Sequence, residues 1–280
     1  MTARLGPFGW PEPAQLLEAA LQWQVGVWDR MSPIYLREVD DRFTEVIDGV
    51  VRRAGLQRGQ QVLDLGTGTG SVALKTASTV LPGGTVTAVD ISREMLGLAR
   101  QRALTMGLSN ITFLEGRAEE IPAPSGRFDV VLASLSLMYV IDRAAAAREI
   151  TRVLRPGGRL VAAVWGGPED ADIVRFQQIA GSFAPKPPVP GVGPGALADP
   201  AEFLAQLEQA GISASVEAET TSFAFDDFSS AWDVLAGVTA AQLSSERQEE
   251  AKAAVRAQMW PTGDGPRRFS NLTQFILGTR

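Results

Sequence analysis

Three glycines and two aspartates carry most of the chemical information in this chain. The run QVLDLGTGTG (61–70) ends an apolar, strand-like segment on Asp64 and Leu65 and then alternates Gly66, Gly68 and Gly70. Apolar side chains at helical spacing follow in SVALKTASTV. A strand, a glycine turn and a helix in that order make a nucleotide-handling corner. Glycine lets the backbone approach a ligand closely, and the helix offers free N–H groups at its start. Beyond it, a second strand-like run, TVTAV, ends in Asp90. An acidic residue there is placed to grip ribose hydroxyls, as in doubly wound folds. The corner implies a cofactor, and the open question is which.

Two absences narrow the chemistry further. The chain has no cysteine, which removes disulfides, thiolate nucleophiles and sulfur-ligated zinc. It has no histidine, so the commonest metal ligand and general base is missing. Proton transfer is left to carboxylates, Tyr, Lys or water, and the lysines are only Lys75, Lys186 and Lys252. No clustered carboxylates suggest an all-oxygen metal site. The chemistry expected is one that needs little acid–base help, and no metal.

The elements that must position these residues follow from periodicity. Residues 12–28 predict an amphipathic helix, and a second helix at roughly 37–55 follows a break at Ser32-Pro33 and ends near Gly55. Strands at 61–65, 85–90, 111–116, 128–134 and 159–165 then alternate with helices at 70–80, 92–106 and 142–155. That alternation predicts a parallel sheet with helices on both faces. Gly107 reads as a helix C-cap, and Pro156-Gly157-Gly158 as a tight helix-to-strand turn. The Pro- and Gly-rich run at 184–195 is either a semi-rigid linker or a loop bordering the site. A helix at 200–210, a strand at 213–225, variable helix over 229–260 and a closing strand at 272–280 complete the chain, with Asp226-Asp227 read as a solvated turn.

Composition sets the class. Hydrophobic content of 45% and charged content of 21% are ordinary for a globular protein, and a net charge of −6 argues against a nucleic-acid surface. No apolar run approaches the roughly 18 residues of a membrane span. The first residues lack the pattern of a signal peptide, so a cytoplasmic location is the expectation.

A dinucleotide is the obvious competitor for the glycine corner, but the fingerprint G-x-G-x-x-G fails at its last glycine, where Ser71 stands. Five blocks discriminate: VLDLGTGTG (62–70), VDISREML (89–96), EGRAEEIP (115–122), FDVVLASLSLMYV (128–140) and LRPGGRL (154–160). In their order and spacing, roughly residues 25–165 resemble the class I S-adenosylmethionine-dependent methyltransferases, in the branch of the ubiquinone and menaquinone C-methyltransferases. The resemblance implies an α/β, Rossmann-like, seven-stranded, mostly parallel sheet with an N-terminal helical extension and helical cap insertions. It implies S-adenosylmethionine as cofactor and S-adenosylhomocysteine as product. Gly66, Thr67 and Gly68 would cradle the methionine part, with Asp64 reaching its ammonium group. Asp90 would take the ribose hydroxyls, Ile91 and Met95 would flank the adenine, and Ala118 would offer it a backbone N–H. Ser134 would approach the methionine part, and Trp28 stands where relatives often place a Tyr over the cofactor. Arg117 departs from the pattern, since relatives often have an Asp there that accepts from the adenine amine, and Arg cannot accept. Either Glu119 substitutes or the adenine edge is read less specifically. Met138-Tyr139 departs too, because relatives frequently show His after this strand. Plain structural roles compete at several positions: Ile91 and Met95 as helix core, Asp90 as a helix cap, and Trp10, Trp23 and Trp28 as a buried helix stripe.

The organisation expected is an N-terminal extension or lid (1–55), a cofactor-binding core (56–166), and cap segments with C-terminal strands (167–280). The acceptor expected is small and partly apolar, because Trp28, Tyr35, Tyr139, Trp165 and Phe183 fall in segments bordering the ligand-binding edge of the sheet. Tyr139 is the first candidate for touching the acceptor, then Trp165, then Tyr35. The reaction expected is methyl transfer to carbon or oxygen of a quinol or natural-product-like molecule. N-methylation of a small amine, or cofactor binding without catalysis, is the alternative. The aromatic content of the added segments fits a homodimer interface equally well.

Overall fold

The computed structural model of the protein describes residues 13–240 and 242–280. Trp10 and the start of the first predicted helix lie outside the described residues. Seven strands form one sheet in the order β3-β2-β1-β4-β5-β7-β6. They are β1 (Gln61–Leu65), β2 (Thr85–Asp90), β3 (Ile111–Glu115), β4 (Phe128–Ser134), β5 (Leu154–Trp165), β6 (Ser213–Phe225) and β7 (Arg267–Thr279). The pairings among β1 to β5 are parallel, while β7 runs antiparallel between β5 and β6. β1, β2 and β4 are nearly continuous apolar runs because both faces of the sheet centre are covered. β6, at one edge, keeps polar side chains, and its Glu217 and Glu219 pair with Arg53 and Arg52.

Strand order reverses between β1 and β4, the two strands that flank the switch point. A crevice opens there beyond the strand C-termini, where open α/β sheets bind ligands. β1 ends on Asp64 and Leu65 and turns through Gly66, Gly68 and Gly70, all at positive φ, into helix α4 (Ser71–Thr79). At Gly66 the requirement is steric as well as conformational: a Cβ would lie 2.4 Å from the Ser136 Cβ. β2 ends on Asp90 and passes through Ser92 into helix α5 (Arg93–Thr105). Ser92, not Asp90, caps that helix by accepting from the Met95 N–H.

The N-terminal helix α1 runs from Pro13 to Ile34 and contains Pro33, so the predicted break at Ser32-Pro33 does not occur. Proline lacks the N–H that the Asp29 carbonyl would otherwise receive one turn back. The Ser32 hydroxyl donates to that carbonyl at 2.9 Å instead. The chain loosens only afterwards, in a π-helical turn over Tyr35–Val39, followed by the one-turn helix α2 (Asp40–Arg42) and α3 (Thr44–Ala54). Gly55, at φ +53, closes α3 as expected.

Downstream, α6 (Arg143–Val153) leads directly into β5, and Pro156-Gly157-Gly158 is a kink inside that strand rather than a separating turn. Pairing jumps there from Phe128–Leu154 to Val130–Arg159. Four further helices follow: α7 (Asp172–Gly181), α8 (Ala201–Gln209), which packs beside α6 and β6, α9 (Phe228–Leu235) and α10 (Ser245–Met259). Asp227 begins α9 with a reciprocal capping box, an ordered role for a residue expected in a solvated turn. The closing strand starts at Arg267, five residues earlier than its apolar pattern predicts.

Candidate cofactor and acceptor site

Two hollows meet beyond the C-terminal ends of β1, β2 and β4. The first is a cleft of about 790 Å³. Gly66 and Gly68 of the turn, Asp90 and Ile91 after β2, and Met95 on α5 line one side. Arg117, Ala118, Glu119 and Ser134 line the other. Helix α1 lies across it through Leu21, Gln24 and Trp28, residues that share one helical face. Asp64 and Thr67 are set back from this cleft and border a smaller adjoining hollow with Gly66, Gly68 and Ser134.

The two aspartates differ in what they hold. Asp90 Oδ2 accepts from the Gly68 N–H at 2.8 Å, and Oδ1 from the Ser92 N–H at 2.9 Å. Each oxygen keeps a lone pair to spare. Burial raises the Asp90 pKa, opposed by those backbone donors. Asp64 is 1% exposed, and burial pushes it up to about 7, opposed chiefly by the Thr67 hydroxyl, which donates to Oδ2 at 2.6 Å. A third carboxylate, on Asp40, braces the turn: Oδ2 accepts from the Thr69 hydroxyl at 2.6 Å and from Arg102 at 2.7 Å, and Arg102 also donates to the Thr69 carbonyl.

Arg117 pairs with Glu120 at 3.2 Å. Glu119 Oε1 accepts the Ile141 and Asp142 N–H groups at 3.0 and 3.2 Å, and Oε2 forms no hydrogen bond with a described residue. The Ala118 N–H forms no hydrogen bond with a described residue. Two contacts pin α1 down: Gln24 Nε2 donates to the Tyr139 carbonyl at 2.5 Å, and the Ser92 hydroxyl donates to Asp29 Oδ1 at 2.6 Å. Met95, only 1% exposed, packs with Val27 and Met31 under the same helix, so it is both core and cleft wall.

The second hollow, about 450 Å³, is an apolar chamber walled by α1, the π turn, α7 and α9. Trp28, Tyr35, Leu135 and Tyr139 form the wall common to both spaces. Trp28 meets Tyr139 edge-on at 4.8 Å, and Trp165 meets Phe43 at 5.4 Å. Trp165 lies in the chamber and not in the cleft. Burial raises the pKa of Tyr139 and that of Tyr35, where Asp40 adds to the effect. Phe183 lines neither hollow; it packs against the Arg247 guanidinium. The 184–195 run borders the site: Pro194 reaches the chamber, and Gly193 donates to the Met138 carbonyl at 3.1 Å. That decides against a free linker.

Sequence reasoning missed Leu21, Gln24, Leu135 and Gln177. The i, i+3, i+7 spacing of Leu21, Gln24 and Trp28 would have found the first two. No signal marks Leu135, which sits at φ +55 where a branched side chain is strained.

Comparison with known proteins agrees with this geometry. Residues 56–172 match the family model described as a methyltransferase domain. The ubiquinone/menaquinone biosynthesis C-methyltransferase UbiE of Ectopseudomonas mendocina is 34% identical over 156 residues, covering 52% of this chain and 61% of that protein. The chain thus spans about half to three fifths of the length of the curated relatives it matches. Among solved structures, the YcgJ protein of Bacillus subtilis superposes with a TM-score of 0.63 at 21% identity, covering 84% of this chain and 98% of its own. The [4+2]-cyclase SpnF superposes at 0.60 and 20% identity over 94% of this chain and 96% of its own. These two show the fold alone. Residues 56–172 are thus similar to a methyltransferase domain, and over about half of its length the chain is similar to ubiquinone/menaquinone C-methyltransferases.

Proposed function

We propose that this protein transfers the methyl group of S-adenosylmethionine to carbon or oxygen of a small, largely apolar acceptor of quinol or natural-product type. The observation that carries the reading is the shared wall. A cleft furnished with carboxylates and free backbone donors meets an apolar chamber at Trp28, Tyr35, Leu135 and Tyr139.

The residues present suit the cofactor. A Cβ at Gly68 would meet no protein atom within 4 Å, so the turn leaves space there for a ligand. Asp90 has the acceptor capacity for a vicinal diol, and the free Ala118 N–H suits an adenine ring nitrogen. Ile91 and Met95 supply apolar surface, Trp28 covers the cleft, and Gly66, Thr67 and Ser134 line the methionine end. An ammonium group beside Asp64 would draw its carboxyl back to the ionised form. With Arg117 committed to Glu120, Glu119 Oε2 is the acceptor left for the adenine amine.

The bound cofactor supplies a methyl group already activated on a sulfonium. What remains for the chain is to hold the acceptor in line and exclude water, and orientation of that kind contributes about 7–11 kcal/mol. Tyr139 and Tyr35, with their pKa values raised by burial, keep their protons at neutral pH. They therefore orient the acceptor as hydrogen-bond donors and do not act as bases. The chain has no histidine, so the proton released by the acceptor passes to a carboxylate or to water. Residues 1–55 act as a lid on the 56–166 core, with α1 as the part that closes over the cofactor, and within 167–280 helical segments act as cap while β6 and β7 complete the sheet.

Transfer of labelled methyl from S-adenosylmethionine to a panel of hydroquinones, phenols and small amines tests this reading. Label on hydroquinone or phenol carbon or oxygen is expected. Label confined to amines would move the assignment to N-methylation. Tight binding of S-adenosylhomocysteine with no transfer to any acceptor would make the chain a cofactor-binding protein, and the SpnF likeness shows that this fold is not confined to one reaction.

A further inference from the structure

We propose that Gln177 Oε1 accepts a hydrogen bond from a hydroxyl group of the acceptor, so that Gln177 selects hydroxylated apolar molecules over those without a hydroxyl donor. The inference rests on reading the chamber as the acceptor site.

Gln177 projects from the buried face of α7 and is 6% exposed. Its neighbours on that face are apolar, among them Ile173, Val174 and Phe176. The amide orientation is fixed from one side, because Nε2 donates to the Leu235 carbonyl at 2.6 Å. Oε1 is buried and has no hydrogen-bond partner among the described residues, and Gln177 is one of the residues that line the chamber. A buried carbonyl without a partner is costly, and native proteins rarely keep one that nothing completes. Holding the end of α9 requires only the Nε2 bond, which leaves Oε1 available to a ligand.

The chamber wall also determines which group completes it. Tyr35 and Tyr139 line the same chamber, and burial keeps their hydroxyls protonated. These donors require a lone pair, while Gln177 Oε1 requires a proton. A hydroxyl group offers both. A cationic amine offers only protons and would leave the tyrosines unanswered. A methyl ether offers only lone pairs and would leave Oε1 unanswered. The remainder of the wall, including Phe43, Trp165, Val234 and Leu235, is suited to an apolar skeleton.

The test uses calorimetric titration of the full chain with 2-naphthol and with 2-methoxynaphthalene, in the presence and absence of S-adenosylhomocysteine. Wild type is expected to bind 2-naphthol about tenfold or more tightly than the ether, because a site built for a hydroxyl rejects an analogue that cannot donate. Gln177→Met keeps the volume and removes the oxygen; it should bring the two affinities within about threefold by weakening 2-naphthol alone. S-adenosylhomocysteine binding should be unchanged in the variant. Equal binding of the two probes to wild type, binding of neither, or an undiminished preference in Gln177→Met would overturn the proposal. The wild-type comparison stands without the variant, should Gln177→Met fold poorly. Loss of S-adenosylhomocysteine binding by wild type, with the naphthol preference intact, would count against the methyltransferase reading and leave the hydroxyl assignment standing.

Discussion

The cleft and the chamber share a wall but are built on different principles. The cleft takes its polar equipment from short, local stretches: a glycine turn directly after β1, Asp90 at the end of β2, and Ala118 and Glu119 just after β3. Its ligand groups are largely backbone atoms and carboxylates fixed by neighbouring N–H donors. The chamber draws on α1, the π turn, β5, α7, the 184–195 loop and α9, segments spread over some two hundred residues, and presents mostly side-chain hydrocarbon. On the proposed reading, backbone geometry meets the cofactor, while the acceptor is met by side-chain packing that can vary without disturbing the sheet. Substitutions on the two sides should therefore have separable effects.

The largest separation is expected at the glycine turn. Gly66→Ala forces a Cβ into the Ser136 side chain at 2.4 Å and should cost both fold stability and cofactor affinity. Gly68→Ala sharpens the contrast, because its Cβ meets no protein atom. Its left-handed backbone costs about 1–2 kcal/mol in thermal unfolding. S-adenosylhomocysteine affinity, read by calorimetry, should fall by more than that cost explains, and 2-naphthol binding in the chamber should persist.

Asp64 gives the next effect, with opposite signs on stability and binding. Its folded-state pKa of about 7 lies above the ordinary 3.8, so between those values the folded chain holds a proton that the unfolded chain has released. The stability linked to this group is complete below pH 4 and is lost as pH rises through about 7, amounting to about 4 kcal/mol at most. Asp64→Asn should raise the Tm of the ligand-free protein at pH 8 and change it little at pH 4. The same variant should bind S-adenosylhomocysteine more weakly at pH 8, because the ammonium loses its carboxylate. A Tm that does not respond at pH 8 would place the Asp64 pKa nearer the ordinary range.

Tyr139 is expected to show the smallest effect and to confine it to the acceptor side. Tyr139→Phe keeps the edge-on contact with Trp28 and removes one donor, worth about 0.5–1.5 kcal/mol, or up to roughly tenfold. Turnover with a hydroxylated acceptor should fall by that factor while S-adenosylhomocysteine affinity holds. Unchanged turnover would remove the hydroxyl from the mechanism.

The same division explains what the sequence made legible. Strands β1 to β4, the glycine turn and the position of Asp90 follow from contiguous patterns, and the structure has them where the patterns put them, whereas β5 begins five residues early and runs through Pro156-Gly157-Gly158. Pro33 misled because a hydroxyl one residue earlier repairs the helix, a compensation no propensity contains. Phe183 misled because proximity in sequence to the 184–195 loop does not fix which way a ring packs. Gln177 and Leu135 were invisible for a deeper reason. Their significance lies in an unpaired oxygen and a strained φ angle, which exist only once distant elements have come together.

The central claim is that the cleft binds the cofactor through Asp90. Calorimetric titration of wild type and of Asp90→Ala with S-adenosylhomocysteine tests it most directly. Micromolar binding to wild type that weakens by about a hundredfold or more in the variant is predicted, since two hydrogen bonds to a charged group contribute about 1.5–3 kcal/mol each. Equal binding by both proteins, or none by wild type, would contradict it.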